Sequence, residues 1–268
     1  MRIAVLGTGT MGKAIIDGLL RSGTPATITA FDILPRAAEG LPAEVTAAAP
    51  QQWFTTGMAP DAVIFAVKPA DIPSACRMVF SLQSSAGVPP PLWISIAAGI
   101  TLQTLQQLST PEARICRVMP NTPARVGEGM SAYACSGSCT ENDSALVEAV
   151  FSSCGKTVAV PEKLLHAVTG LSGSGPAFVF LFIEALIEGG VTAGLPLQVA
   201  RECAIQTVYG AASMLMESGE HTGVLKAGVM SPGGTTAAGL KALELHAFKY
   251  AVIEAVMSAA ARSAQLGS

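Results

Sequence analysis

Gly7-Thr8-Gly9-Thr10-Met11-Gly12 stands between an apolar run at residues 2–6 and a stretch, Met11–Ser22, whose apolar residues recur at helical spacing. Few folds place such a turn between a strand and a helix. Gly7 permits the tight turn, Gly9 lets backbone approach a pyrophosphate, and Gly12 lets helix and strand pack closely. Thr8, Thr10 and Met11 complete a turn whose backbone N–H groups, at a helix start, face an anion. Further short apolar runs follow at Ala26–Phe31, Asp61–Val67, Leu92–Ala97, Arg114–Met119 and Met130–Cys135. Such strands, alternating with helical segments, predict an α/β fold: a Rossmann-like, doubly wound, mostly parallel sheet covered on both faces.

Beyond Val160 no strand-like run is bounded by turn residues. Apolar periodicity instead marks Lys163–Thr169, Pro176–Ala193, Leu197–Ser218, Thr235–His246 and Phe248–Gln265. The expected domains are therefore a dinucleotide-binding domain over 1–160 and an all-helical domain over 161–268. Hydrophobic residues make up 50% of the 268 and charged residues only 13%, which favours a chain that buries a large subunit interface as a homo-oligomer. A net charge of −3 with no Lys/Arg block argues against a nucleic-acid partner. The apolar stretch Pro176–Ile187 is interrupted by Glu184 and falls short of the about 18 residues of a membrane span, so an interface helix and no membrane partner are expected. The opening M-R-I-A-V-L-G has no secretory pattern, which makes the cytoplasm the expected location. Cys135 and Cys139 form a C-x-x-x-C with no second pair and no neighbouring histidine, so no zinc site is expected and all six cysteines read as reduced, structural thiols.

The cofactor expected at the glycine turn is NAD(P)H. Asp32 ends the second strand twenty positions after Gly12, where a carboxylate accepts from a ribose 2′-hydroxyl; Arg36, four residues on, would instead neutralise a 2′-phosphate. The two pull in opposite directions. Ala66-Val67-Lys68-Pro69 leaves the third strong strand at the end where parallel sheets hold ligands, with Lys68 a candidate contact to cofactor or substrate carboxylate. Met119-Pro120-Asn121-Thr122-Pro123 leaves another strand, and the Asn121 amide is placed to donate to ribose or nicotinamide. In the helical half, Ser231-Pro232-Gly233-Gly234-Thr235-Thr236 reads as a turn opening a helix, a ready carboxylate site.

With A-V-K-P at 66–69, M-P-N-T-P at 119–123, T-G-L-S-G-S-G-P-A at 169–177 and S-P-G-G-T-T at 231–236, the chain resembles the pyrroline-5-carboxylate reductase family over essentially its whole length. The resemblance implies reduction of the C=N bond of 1-pyrroline-5-carboxylate, a cyclic imino acid, to L-proline. It also implies dimers with interleaved helical domains, often assembled into decamers. Carried over by position, Gly233, Gly234, Thr235 and Thr236 would hold the substrate carboxylate, and the Thr236 hydroxyl would reach the ring nitrogen. Ser172, Gly173, Ser174 and Gly175 would form a kinked helix start facing the nicotinamide. Two residues depart from the family pattern: Ala227 and Met230 stand where it carries an aspartate and a serine or threonine.

Imine reduction needs alignment of donor and carbon more than a strong base. The isolated histidines His166, His221 and His246 fit that economy; the resemblance makes Thr236 the catalytic candidate, and Val229 and Met230, adjacent in sequence, are candidates for an apolar wall or plain core packing. Three other readings remain: reduction of a different cyclic imine, a β-hydroxyacid dehydrogenase, and a non-catalytic NAD(P)-binding sensor. The dehydrogenase chemistry wants a lysine on the helix after the S-G segment, and Pro176–Gly190 contains none.

Overall fold

The computed structural model describes residues 1–34, 39–55 and 59–266. Eight strands form one sheet: β1 (Arg2–Leu6), β2 (Thr27–Phe31), β3 (Val45–Ala47), β4 (Ala62–Phe65), β5 (Leu92–Ser95), β6 (Ile115–Met119), β7 (Gly129–Cys135) and β8 (Gly155–Ala159). Their order is β3-β2-β1-β4-β5-β6-β7-β8. Every neighbouring pair runs parallel except β6 and β7. The loop from β6 to β7 is too short for a crossover helix, so β7 returns antiparallel.

Alternation along each strand supplies two cores. Ile3, Val5, Ile28, Ile64 and Ile94 face Ile15, Ile16 and Leu19 of α1 (Thr10–Arg21) and Val147, Val150 and Phe151 of the helix Glu141–Ser152. Ala4, Leu6, Val63, Phe65 and Trp93 face the other way, onto Ile72 and Val79 of α2 (Ile72–Ala86) and Leu102 and Leu105 of α3 (Leu102–Gln107). A sheet apolar on both faces must be covered on both, which is why the strands read as continuous apolar runs.

The helices α2, α3 and Glu141–Ser152 are expected from the sequence only as unbounded helical segments between strands, and three further elements carry no visible pattern. β3 has only three residues, β8 carries a single large apolar side chain, Val158, and the helix Thr222–Gly228 holds glycine at its second and last positions. None has enough periodicity to stand out.

The chain divides into two compact units: Met1–Ser174 together with the chain end from Ser258, and Gly175–Met257. The division falls after Ser174 because the stretch that follows residue 160 packs on the sheet. Leu165 is buried with Ala132 and Ala134 of β7, and Arg117 of β6, itself buried, pairs with Glu162 at 2.6 Å. The same Glu162 oxygen accepts the Leu102 N–H at 2.7 Å and so caps α3. His166 Nδ1 lies 3.0 Å from Ser263 Oγ, bringing the C-terminal helix Phe248–Leu266 onto this unit.

The second unit contains the helices Gly175–Thr192 and Leu197–Ser218, which approach closely where Gly190 meets Ala200. Phe182 and Phe248 stack with ring centroids 5.7 Å apart. Otherwise the unit leaves its apolar residues outward: Phe180, Leu181, Leu197, Tyr209 and Tyr250 are each more than 60% exposed. Among the described residues one helical run, Glu162–Thr192, is long and apolar enough to cross a membrane by length and composition. It exceeds the Pro176–Ile187 stretch visible in the sequence.

One expectation is overturned. Cys116 and Cys135 form a disulfide; Cys76, Cys139, Cys154 and Cys203 are free. The β6–β7 register sets the pair opposite each other with Cα atoms 4.2 Å apart, a closeness that a sequence separation of 19 conceals.

Removing Glu162 strands the buried Arg117 guanidinium. Glu162→Ala is expected to cost about 3 kcal/mol and to lower Tm by roughly 6–12 °C in a thermal melt.

Candidate active site

Close backbone contacts build the glycine turn. Gly7 holds φ +100°, and a Cβ there would stand 2.6 Å from the Ala66 carbonyl oxygen. A Cβ on Gly12 would overlap the Gly7 carbonyl oxygen. Around Gly9, in contrast, a Cβ would meet nothing within 4 Å. Gly9 caps α1, and no side chain bonds the helix's first turn. Open space over uncapped N–H groups at a helix start suits a dinucleotide pyrophosphate.

Asp32 does more than the sequence indicates. Its Oδ2 accepts the Thr8 N–H at 2.7 Å and its Oδ1 the Leu34 N–H at 2.9 Å, so the carboxylate ties the glycine turn to the end of β2. It stays half-buried beside a cavity of about 280 Å³, lined also by Gly7, Phe31, Ile33, Val67 and Met78. Oδ2 also accepts the Thr8 hydroxyl at 3.4 Å, so Oδ1, with one protein donor, retains a lone pair for a ribose hydroxyl. Arg36 lies outside the described residues.

A second cavity, of about 500 Å³, opens over Thr8, Gly9 and Thr10 and is lined by Lys13, Asp17 and Arg125. Its two cations escape a reading of the sequence for different reasons. Lys13 directly follows Gly12 and was a visible signal. Arg125 reaches the glycine turn only through the fold, its carbonyl accepting from Arg21 of α1 at 3.1 Å. Ala66 sits under Gly7, Val67 lines the first cavity, and Lys68 and Pro69 are exposed at the start of a short turn.

Asn121 is engaged within the protein. Its Oδ1 accepts the Met130 N–H at 2.9 Å and its Nδ2 donates to the Ser172 carbonyl at 3.0 Å. The side chain is thus a clamp joining the M-P-N-T-P loop, the start of β7 and the T-G-L-S-G-S-G segment. That segment winds as a π-helical turn, Thr169–Gly173, closed by the Ser174 N–H on the Thr169 carbonyl at 2.8 Å. Gly173 packs under the tip of Met119, whose Cε a Cβ there would push aside.

On the second unit, Ser231-Pro232-Gly233-Gly234 forms a tight turn, the Gly234 N–H donating to the Ser231 carbonyl at 3.0 Å. Gly233 adopts φ +68°, which suits glycine, and a Cβ on Gly234 would overlap Ser231 Oγ. The helix Thr235–Leu245 follows with Gly234 as its cap and no side chain bonding its first turn. Thr235 is exposed and Thr236 half-buried at this uncapped start. Val229 and Met230 are both exposed in the single chain.

Comparison with known proteins matches these two halves. A family model described as NADP oxidoreductase coenzyme F420-dependent covers residues 2–99, and one described as pyrroline-5-carboxylate reductase dimerisation covers 162–266. A pyrroline-5-carboxylate reductase of Synechocystis is 41% identical over 100% of this chain and 98% of its own length. That of Escherichia coli is 37% identical over 99% and 98%. The chain belongs to the pyrroline-5-carboxylate reductase family. Solved structures agree. A Coxiella burnetii pyrroline-5-carboxylate reductase superposes with TM-score 0.91 at 30% identity, covering 99% of this chain and 98% of its own. A Plasmodium falciparum pyrroline carboxylate reductase with NADP bound gives 0.87 at 31%, covering 100% and 98%.

Arg125 offers a clean probe of the cofactor half, because its side chain is exposed beside the glycine turn and its carbonyl, not its guanidinium, accepts from Arg21. Arg125→Ala is expected to raise KM for the nicotinamide cofactor about tenfold, the loss of one exposed charge-assisted contact, with Tm unchanged. Initial rates over a cofactor titration check it.

Proposed function

We propose that this chain reduces the C=N bond of 1-pyrroline-5-carboxylate to L-proline with NAD(P)H, the last step of proline biosynthesis. The observation that carries the reading is the Pro232-Gly233-Gly234 turn, which leaves a helix start uncapped in a chain whose other unit holds an uncapped glycine turn. An uncapped helix start suits an anion, a carboxylate at one and a pyrophosphate at the other.

The glycine turn, with Lys13 and Arg125 beside it, would hold the cofactor phosphates, and Asp32 the adenosine ribose. A reduced nicotinamide bound there supplies the hydride. The N–H groups of Thr235 and Thr236 would bind the substrate carboxylate through the partial positive charge of the helix start. The Thr236 hydroxyl would hydrogen-bond the ring nitrogen and keep its proton in place, which leaves the imine carbon electrophilic. Met230 would flank the ring, taking the place of a smaller polar residue in the family. Asn121 acts at one remove, by fixing the π-helical turn through Ser172.

The same reading makes the protein a cytoplasmic homodimer, assembled further into decamers. Support comes from the match of residues 162–266 to a dimerisation model and from the apolar side chains that the second unit leaves outward. A second copy covers them better than lipid does, since Glu184 and Glu188 lie exposed along the same helix. Light scattering of purified protein is expected to show dimers or their multiples and no monomer.

Turnover is tested by following NADH and NADPH oxidation separately on addition of 1-pyrroline-5-carboxylate, with L-proline identified as product. The ratio of the two kcat/KM values reads how strongly Asp32 repels a 2′-phosphate. Thr236→Ala is expected to lower kcat/KM by about 10- to 100-fold, the worth of one hydrogen bond to a charged group. An unchanged kcat/KM would remove Thr236 from the mechanism.

A further inference from the structure

At the opposite end of β6 from Asn121, three sulfur atoms converge. Cys116 is the second residue of β6 and Cys135 the last of β7. The turn Ser136–Cys139, closed by the Cys139 N–H on the Ser136 carbonyl at 3.0 Å, folds Cys139 back onto them. All three Sγ atoms lie within 4.8 Å of one another. Cys139 Sγ stands 3.9 Å from Cys116 Sγ and 3.4 Å from the Ile115 carbonyl oxygen. The sequence shows only C-x-x-x-C here; β-pairing delivers the third cysteine, which removes the ground for expecting no zinc site.

We propose that Cys116, Cys135 and Cys139 form a redox-gated site which, once the Cys116–Cys135 disulfide is reduced, binds one thiophilic cation of the zinc class.

Two thiolates on a tetrahedral zinc, each with a bond of about 2.3 Å, stand about 3.8 Å apart. The Cys116–Cys139 edge already has that spacing. The Cys116–Cys135 edge is closed by the disulfide and opens on reduction, when the sulfurs separate toward van der Waals distance. The reductant is a thiol: two RSH reduce the S–S bond, giving two cysteine thiols and one RSSR. The cation then displaces the thiol protons into solvent. Three thiolates leave the fourth position to the Ser136 hydroxyl, 3.6 Å from Cys139 Sγ, or to water.

The surroundings allow both states. Cys116 is fully buried, whereas Cys135 and Cys139 are half-buried and give access from solvent. Burial pushes the Cys139 thiol above its ordinary range, so beside the disulfide it rests as a neutral donor to the Ile115 carbonyl. The nearest carboxylate, Asp143, is paired with Arg114 at 2.7 Å. Disulfide and cation exclude each other, so the site exists only in the reduced protein.

The test uses the full chain carrying Cys203→Ser, which removes the exposed thiol as a competing ligand. Anaerobic protein, reduced with a phosphine, is titrated with Co²⁺. The expected result is one equivalent bound with thiolate charge-transfer absorption and tetrahedral d–d bands, displaced by Zn²⁺. Protein oxidised with glutathione disulfide is expected to show neither. Adding Cys139→Ser is expected to weaken binding by more than about tenfold, with imine turnover unchanged as the control for folding. Should that variant not fold, alkylation of the parent decides, with Zn²⁺ expected to shield Cys135 and Cys139 together from iodoacetamide. No charge-transfer band in the reduced protein, equal affinity without Cys139, or alkylation indifferent to Zn²⁺ overturns the proposal.

Discussion

The first unit is organised around a contact of backbone with backbone. Gly12 of α1 lies against the Gly7 carbonyl, and Gly7 against the carbonyl of Ala66 beyond β4. One strand end, one helix start and the neighbouring strand's exit therefore meet at a spacing that no Cβ tolerates. The Asp32 carboxylate, accepting the Thr8 N–H, adds the end of β2 to the same junction. With these four backbones fixed, the α1 N-terminus aims into open space above Gly9.

Most polar side chains at this rim are spent on holding segments rather than on reaching outward. Asn121 and Asp32 both accept from backbone N–H groups, and Glu162 serves Arg117 and the start of α3 at once. Among the described residues no buried side-chain nitrogen or oxygen lacks a hydrogen-bond partner. This economy suits a reaction in which placement of hydride donor and acceptor matters more than proton transfer by a strong base.

The second unit obeys a different constraint. A small unit with much of its apolar area outward gains little from its own core, so its stability depends on association. The Pro232-Gly233-Gly234 turn is carried on this association-dependent unit.

Short-range features were legible in the sequence. The glycine turn, six of the eight strands, the long helices beyond residue 160 and the Ser231–Thr236 turn all follow from period and punctuation within about 20 residues, because each is held by bonds local to it. The limits of that reading are equally physical. β3 is too short to carry a period and β8 too poor in apolar side chains, and their pairing comes from neighbours. Asp32 and Asn121 were recognisable as polar residues at strand ends, but only tertiary structure decided that their side chains would be engaged by Thr8, Met130 and Ser172. Arg125 reached the glycine turn, and Cys116 reached Cys135 and Cys139, by the packing of segments far apart in the chain. Spacing along one dimension records what a helix or turn brings together; contact between strands depends on register, and register is settled only when the whole sheet closes its two cores.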